Sequence, residues 1–486
     1  MEKTLANEAP SVPALRQLPA VDKIVQHASL HTARARLSAE LLTACARRAV
    51  ADLRREWLQA APAQMDEARA LELAVERTAA QVALLFTPRL RRVVNATGII
   101  LHTGLGRAVL SAPALQALPE VLAGYCNLEI DLASGRRGDR HQHVEHLLCA
   151  LTSAEAACVV NNNAAAVLLT LNTIATRKQV LLSRGQMVEI GGSFRMPEVV
   201  KKSGAQLIEV GTTNKTRLQD YAGAISPRTA AILVAHPSNY RILGFTHEVE
   251  LRALVELARQ HNLVLVHDLG GGILADLRTW GLPHEPVVSD SMRAGVHLAT
   301  FSGDKMLGGP QCGLIVGERS LVERIKKNPL MRALRCDKLT LTLLESTLRL
   351  FLHPESLPQR HRVIGMMTED LSLVRQRAQQ LHDGILAVCG GRFTLELRQT
   401  ESEAGSGALP IEKIPSYAVT IRSREWSAAK LAKALRQGAT AVVGYVRDDR
   451  VWLDVRTIQP EELEMIINNF RELDPGEPGG EAITVS

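Results

Sequence analysis

Between about Val93 and Val322, short apolar runs alternate with stretches of helical spacing, and this alternation restricts the fold more than any other feature of the chain. The runs include Gln179-Val180-Leu181-Leu182, Gln206-Leu207-Ile208-Glu209-Val210, Ala230-Ala231-Ile232-Leu233-Val234 and Leu263-Val264-Leu265-Val266. Each is bounded by Gly, Pro, Ser or Asn. They are largely continuous rather than alternating with polar residues, as expected of strands buried on both faces. The pattern predicts βαβ units, an α/β fold and a mostly parallel central sheet. Such sheets place ligands beyond the carboxyl ends of their strands. Residues just after the runs are therefore the candidates for chemistry.

Three stretches in those positions carry it. Val296 to Phe301 reads as a strand, and Ser302-Gly303-Asp304-Lys305-Met306-Leu307-Gly308-Gly309-Pro310 follows it. A lysine held at a strand end can form a Schiff base with pyridoxal 5′-phosphate, and Ser302 can donate to the cofactor phosphate. Taken alone, the same stretch also suits a surface lysine in a turn. His267-Asp268-Leu269-Gly270-Gly271-Gly272 follows the run ending at Val266 and precedes Lys305 by one strand-and-helix interval. A carboxylate such as Asp268 can pair with a protonated pyridine nitrogen, or it can cap a turn. Asn161, Asn162 and Asn163, followed by Ala164, lead from a strand end into an Ala-rich helix start. Helix N-termini carry unpaired amides and partial positive charge, which suits a phosphate.

Lysine, aspartate and asparagine cup, in this order, resemble a fold type I pyridoxal phosphate enzyme. Longer motifs resemble the bacterial selenocysteine synthase family from about Leu18 to Glu472. They are Arg92-Val93-Val94-Asn95-Ala96-Thr97-Gly98, Leu101-His102-Thr103-Gly104-Leu105-Gly106-Arg107, Asn127-Leu128-Glu129, Ser183-Arg184-Gly185, Glu189 to Arg195, Val210 to Asn214, Ser238-Asn239-Tyr240-Arg241 and Lys327 to Arg335. Gly104, Pro237, Gly271, Gly272, Cys312 and Cys336 depart from the family pattern, and none of these changes removes Lys305, Asp268 or the arginines.

The resemblance implies a fold type I PLP-dependent transferase with a helical N-terminal domain and a small α+β C-terminal domain. The implied reaction converts L-seryl-tRNA(Sec) to L-selenocysteinyl-tRNA(Sec) through an aminoacrylyl-tRNA, with selenophosphate as selenium donor. Lys305 is the implied catalytic residue. Asn161, Asn162, Asn163, Ala164, His236, Asp268, Ser302 and Lys305 are the cofactor-binding set, and Arg107, Arg332 and Arg335 line the donor site. Arg332 and Arg335 are three apart, so on a helical turn they face one way. His236 at a strand end suits a ring contact, or equally a backbone partner. Arg184 and Gln186 follow another strand end, within reach of the cofactor face. Arg456 stands where many fold type I enzymes hold a free α-carboxylate. The alternative of a lyase or transferase acting on a free seleno- or sulfur-containing amino acid is therefore open at this stage. The family also implies a homo-oligomer, a decameric ring.

Residues 1–92 read as helical, with Leu37 to Gln59 (N-capped by Ser38) and Met65 to Leu85 the strongest segments. Residues 1–94 hold 14 Lys and Arg against 10 Asp and Glu, most of the chain's net charge of +6. Arg47-Arg48 and Arg54-Arg55 share a helix face. Charge alone favours a solvated surface, and the resemblance makes this the tRNA-binding domain. No aromatics interleave the arginines, so it would read phosphates and shape.

Residues 93–335 form the expected cofactor domain and 336–472 the small domain. The small domain has strands at Ala418 to Ile421, Val442 to Val446 and Val451 to Val455, a hairpin turn at Arg447 to Arg450, and a loop at Glu401 to Gly407. Residues 473–486 read as a disordered tail. Seven scattered cysteines without a C-x-x-C pair exclude a zinc site and suit reduced thiols. No apolar run is long enough to span a membrane, and Met1 to Asn7 lack a signal-peptide core. A cytoplasmic protein, with neither membrane nor DNA as partner, is expected.

Overall fold

The computed structural model describes residues 15–59, 65–190, 194–237 and 239–473. Gly191 to Ser193 and Ser238, quoted above within motifs, lie outside the described residues, as does the tail beyond residue 473. The chain divides into two compact units, residues 1–92 and 93–486.

In the first unit, helices Ala39–Gln59 and Glu67–Phe86 form where expected. Leu42, Ala46, Ala49, Leu53 and Trp57 recur at intervals of three and four and are buried, against Ala70, Ala74, Val75 and Val82 of the second helix. Ser38 Oγ accepts from Leu41 N at 3.3 Å, the cap the sequence suggests. Glu56 and Arg77 bind the two helices together through bonds of 2.6 and 2.7 Å. Arg47, Arg48, Arg54 and Arg55 are all exposed.

The second unit is built on a seven-stranded sheet of β2 (Ala156–Val160), β3 (Gln179–Ser183), β6 (Gln206–Val210), β7 (Thr229–Ala235), β8 (Val264–Gly270), β9 (Leu298–Ser302) and β10 (Gly313–Gly317), in the order β2-β10-β9-β8-β7-β3-β6. Only β10 runs antiparallel to its neighbours. Alternate residues feed opposite layers. Ala156, Cys158 and Val160 join one core and Ala157 and Val159 another. Burial on both faces explains the continuous apolar runs, each fully buried Val, Leu or Ile contributing about 1.5–3 kcal/mol. Gly313 lets β10 pass the β2–helix turn, because a Cβ there would lie 2.1 Å from Asn162 O.

The C-terminal part carries a sheet ordered β11 (Phe393–Gly405), β12 (Ala408–Ser423), β15 (Arg450–Asp454), β14 (Tyr445–Arg447). Asp448 and Asp449 both take positive φ (50° and 53°) and make the expected two-residue hairpin turn. Two expectations are corrected. The segment Glu401 to Gly407 is mostly strand rather than loop. Its polar residues pair along β12, and Ile100 N and Leu101 N donate to Glu403 O and Ala404 O at 2.9 and 2.8 Å. Only Ser406 and Gly407 turn. Second, Val442 to Val446 is not one strand. It breaks at Gly444 into β13 (Ala441–Val443), paired in parallel with β1 (Val93–Asn95), and β14. A Cβ at Gly444 would lie 2.4 Å from Trp452 O, which holds that break to glycine.

Candidate active site

The strands β8, β9 and β2 end at one edge of the large sheet. Beyond them lies a cavity of about 280 Å³ lined by Asn162, Asn163, Ala164, His236, Asp268, Ser302 and Lys305. Arg107, Val188, Phe194, Gly270, Asp304 and Gln311 complete it. Asp268, Ser302, Asp304 and Lys305 are all buried.

Asp268 Oδ1 accepts three hydrogen bonds, from Asn163 Nδ2 (2.8 Å), Thr300 Oγ1 (3.1 Å) and Gly270 N (3.3 Å). Its Oδ2 accepts none from the described residues. Burial raises the carboxyl pKa, and the three donors and Lys305 oppose that rise. Burial likewise lowers the Lys305 pKa. Arg107 adds to the lowering, while Asp268 and Asp304 counter it. Arg107 donates to Asp304 Oδ2 at 2.6 Å. His236 N donates to Asp268 O at 2.8 Å, and its Nε2 lies 3.7 Å from Glu285 Oε2. His267 points to Ser291 Oγ (3.0 Å), and burial drops its pKa to about 3.

These residues fit pyridoxal phosphate. A buried aspartate whose Oδ2 accepts no hydrogen bond from the described residues suits a protonated ring nitrogen. A buried amine of lowered basicity suits an aldehyde. The first amides of helix Asn163–Ala175 meet the cavity beside Ser302, a site for phosphate.

The predicted residues divide on placement. Asn162 serves as the helix N-cap, with Oδ1 accepting from Ala165 N at 2.9 Å. Asn163 orients Asp268. Asn161 does not line this cavity. Its amide donates to Leu334 O at 2.9 Å, and it faces a neighbouring depression instead. Arg332 and Arg335 also lie outside the cavity. Both are exposed, on and just after the short helix Leu330–Leu334, and Arg335 reaches Glu129 at 3.7 Å. Gln186 is buried with Oε1 accepting from Ala235 N, and Arg184 turns away to Glu209 and Gly211 O, so neither lines the cavity. Asp304 and Gln311 sit inside or beside the lysine motif and were missed as separate contributors. Nothing local in the sequence marks Val188 or Phe194.

Arg456 is fully buried, and its guanidinium donates to three main-chain carbonyls, of Pro415, Met366 and Glu369. It braces β12 to the segment around Met366 and is not offered to a carboxylate in the cavity. Arg456→Ala is expected to lower stability by about 3 kcal/mol, from acceptors left unsatisfied. Denaturant melts measure the loss, and KM for the substrate should not move.

Comparison with known proteins gives concordant findings. The family model described as L-seryl-tRNA selenium transferase matches residues 93–459, and that described as selenocysteine synthase N terminal matches residues 15–54. The chain is 47% identical over 388 residues to the L-seryl-tRNA(Sec) selenium transferase of Alkaliphilus oremlandii (strain OhILAs), covering 79% of this chain and 82% of that one. It is 45% identical over 470 residues to the protein of the same name from Moorella thermoacetica, covering 96% and 99%. Among solved structures, D-glucosaminate-6-phosphate ammonia-lyase superposes with a TM-score of 0.54 at 17% identity, over 79% of this chain and 95% of that one, a likeness of fold.

Proposed function

The chain belongs to the L-seryl-tRNA selenium transferase family, and from that we propose that it converts L-seryl-tRNA(Sec) to L-selenocysteinyl-tRNA(Sec) with selenophosphate as donor. The observation that carries this reading is the burial of Lys305 and Asp268 in one cavity against a helix N-terminus.

Pyridoxal 5′-phosphate, when bound, supplies an aldehyde that captures amines and a ring that withdraws electrons. Asn163, Ala164 and Ser302 would hold its phosphate, Asp268 its ring nitrogen, and His236 would lie against it. With the cofactor bound, Lys305 would anchor it in the resting enzyme. When freed, Lys305 Nζ would take the α-proton of the seryl group, the β-hydroxyl leaving as water with a proton from solvent, and would return a proton to Cα once selenium has added at Cβ. Burial keeps a larger share of this amine neutral than in an exposed lysine, as a base requires. Val188 and Phe194 wall the cavity with apolar surface and limit water. Arg107 supplies positive charge for the selenium-donor anion.

Arg332 and Arg335 serve a donor site in this reading only if a second copy brings them to a cavity. That is consistent with a homo-oligomer and with the exposed Tyr125, Leu132 and Phe245 of the same unit. Residues 1–92 are proposed as the tRNA-binding domain, 93–335 as the cofactor domain and 336–472 as the small domain. No helix among the described residues is long and apolar enough to cross a membrane, and a cytoplasmic site of action is proposed.

The decisive assay supplies purified, cofactor-loaded protein with seryl-tRNA(Sec) and selenophosphate, and with free serine in parallel. Selenocysteinyl-tRNA should form, and free serine should be inert. Comparable turnover of free serine would install the free-amino-acid reading in its place.

A further inference from the structure

Beside the catalytic cavity lies a larger cleft of about 1050 Å³, between the segment Thr97 to His102 and the exposed side of the C-terminal sheet. Its walls include Arg398, Glu401, Lys413, Tyr445 and Arg447, with Trp452 beneath. The rings of Tyr445 and Trp452 stack, with centroids 5.8 Å apart and planes 20° from parallel. The guanidinium groups of Arg398 and Arg447 lie 5.8 and 5.4 Å from the Trp452 ring centroid. This is a cluster of flat cationic and aromatic groups, with Tyr445 half-buried and Trp452 buried beneath it. Arg398, Lys413 and Arg447 are ion-paired with Glu396, Glu403 and Asp448 respectively, and each keeps 41% or more of its side chain exposed.

The cleft connects to the chemistry through one turn. His102 lines it, Arg107 lines the catalytic cavity, and Arg107 N donates to His102 O at 3.0 Å. The 3₁₀ turn Thr103–Leu105 between them rises only on the order of 6 Å.

We propose that this cleft seats the unpaired 3′ end of the aminoacyl-tRNA, delivering the esterified serine past Arg107 to Lys305. The proposal rests on the function given above and adds a subsite to it. Single-stranded nucleic acid is held by cations along the backbone and by base stacking on aromatic and guanidinium planes. Both kinds of group occur here, whereas the arginine face of residues 39–59 carries no interleaved aromatics. Two carboxylates also line the cleft. Glu403 is paired with Lys413. Glu401 remains as an acceptor for an exocyclic base amine, the pairing a carboxylate makes with cytosine. An acidic peptide would have no use for Glu401 or for the stacked rings.

The test measures binding of cofactor-loaded enzyme to intact tRNA and to the same tRNA trimmed of its unpaired 3′ nucleotides. Wild-type protein should bind the intact form about tenfold or more tighter, the range expected of stacked bases. Tyr445→Ala, Arg447→Ala and Arg398→Ala should each erase much of that difference, leave affinity for the trimmed tRNA unchanged and raise KM more than they lower kcat. Tyr445→Phe, which keeps the ring, should behave as wild type. Bound-cofactor absorbance and melting temperature report on folding in each variant. If trimming costs wild type nothing, or the variants keep the full difference, the subsite is wrong while the enzyme's function stands. If the wild type fails to bind intact tRNA and to turn over seryl-tRNA, the functional reading falls and takes the subsite with it.

Discussion

Lys305→Ala is expected to reduce selenocysteinyl-tRNA formation by at least about 10³-fold, within the range for loss of a positioned acid–base group and increased by loss of the anchoring amine. The expectation comes from placement. Lys305 is 5% exposed and lines the cavity with Asp268 and Ser302, and among the described residues no other lysine lines that cavity. Borohydride reduction of the loaded wild-type enzyme should leave a pyridoxyl label on Lys305 alone, and the alanine variant should take none. Affinity for tRNA should survive, since the contacts assigned to tRNA lie elsewhere. A label on another lysine would remove the basis of the mechanism. The pH dependence follows from the same burial. The Lys305 pKa is lowered, so its neutral fraction grows as pH rises through a value below the ordinary lysine range. Cofactor reloading by the apoenzyme should therefore quicken with rising pH and level off below about 10.4, the value of a free lysine side chain. Levelling only in that ordinary range would show that the amine is not desolvated.

Asp268→Asn should weaken cofactor retention by roughly two to three and a half decades. Removing one partner of a buried charge pair costs about 3–5 kcal/mol, and about 1.4 kcal/mol is one decade. The shape is kept and the charge is lost. Asn163 Nδ2, Thr300 Oγ1 and Gly270 N can still bond an amide oxygen at this position, so the fold should persist. The measurement is cofactor dissociation followed by visible absorbance, with the melting temperature of the apoprotein as control. Unchanged retention would show that the carboxylate orients Asn163 and the β8–β9 pairing rather than the ring. Asn163→Ala separates the two roles. Asn163 Oδ1 is buried with no partner among the described residues while its Nδ2 holds Asp268. Its loss should misplace the carboxylate and reproduce part of the Asp268→Asn effect.

What was legible in the sequence follows a physical divide. Local chain properties were readable. The runs at Leu181, Ile232 and Val266 are buried on both faces and so are apolar without alternation. Ser38 caps a helix through atoms three residues away. Asp448-Asp449 turns because two residues must take positive φ. Lys305, Asp268 and Asn163 were readable because a parallel sheet puts its strand ends at one edge, so motifs distant in sequence converge once the strands are placed.

The contributions that the sequence did not reveal depend on partners far away along the chain. Glu401 to Gly407 looked like a loop because its polar residues have no apolar rhythm. Its backbone groups are satisfied by β12 and by residues 98–101. Arg456 stood at about the place of a carboxylate-holding arginine, which left a free amino acid substrate open, and its position among three carbonyls of distant segments makes it a brace. Arg107 and Asp304 form their ion pair across 197 residues, and no local pattern signals it. Asn161 and Asn162 are chemically alike and adjacent, but helix geometry makes one a cap and turns the other away. Composition and spacing therefore determined the sheet and placed Lys305, Asp268 and the helix start at Asn163 just after its strands, because each placement depends on neighbours within a few residues. Only the tertiary structure decided which arginines face the cavity, which polar groups are consumed in holding the fold, and that an aromatic, cationic cleft is separated by one turn, His102 to Arg107, from the cavity that holds Lys305. Those outcomes are set by which distant atoms satisfy a buried charge or donor, and a linear sequence does not record that choice.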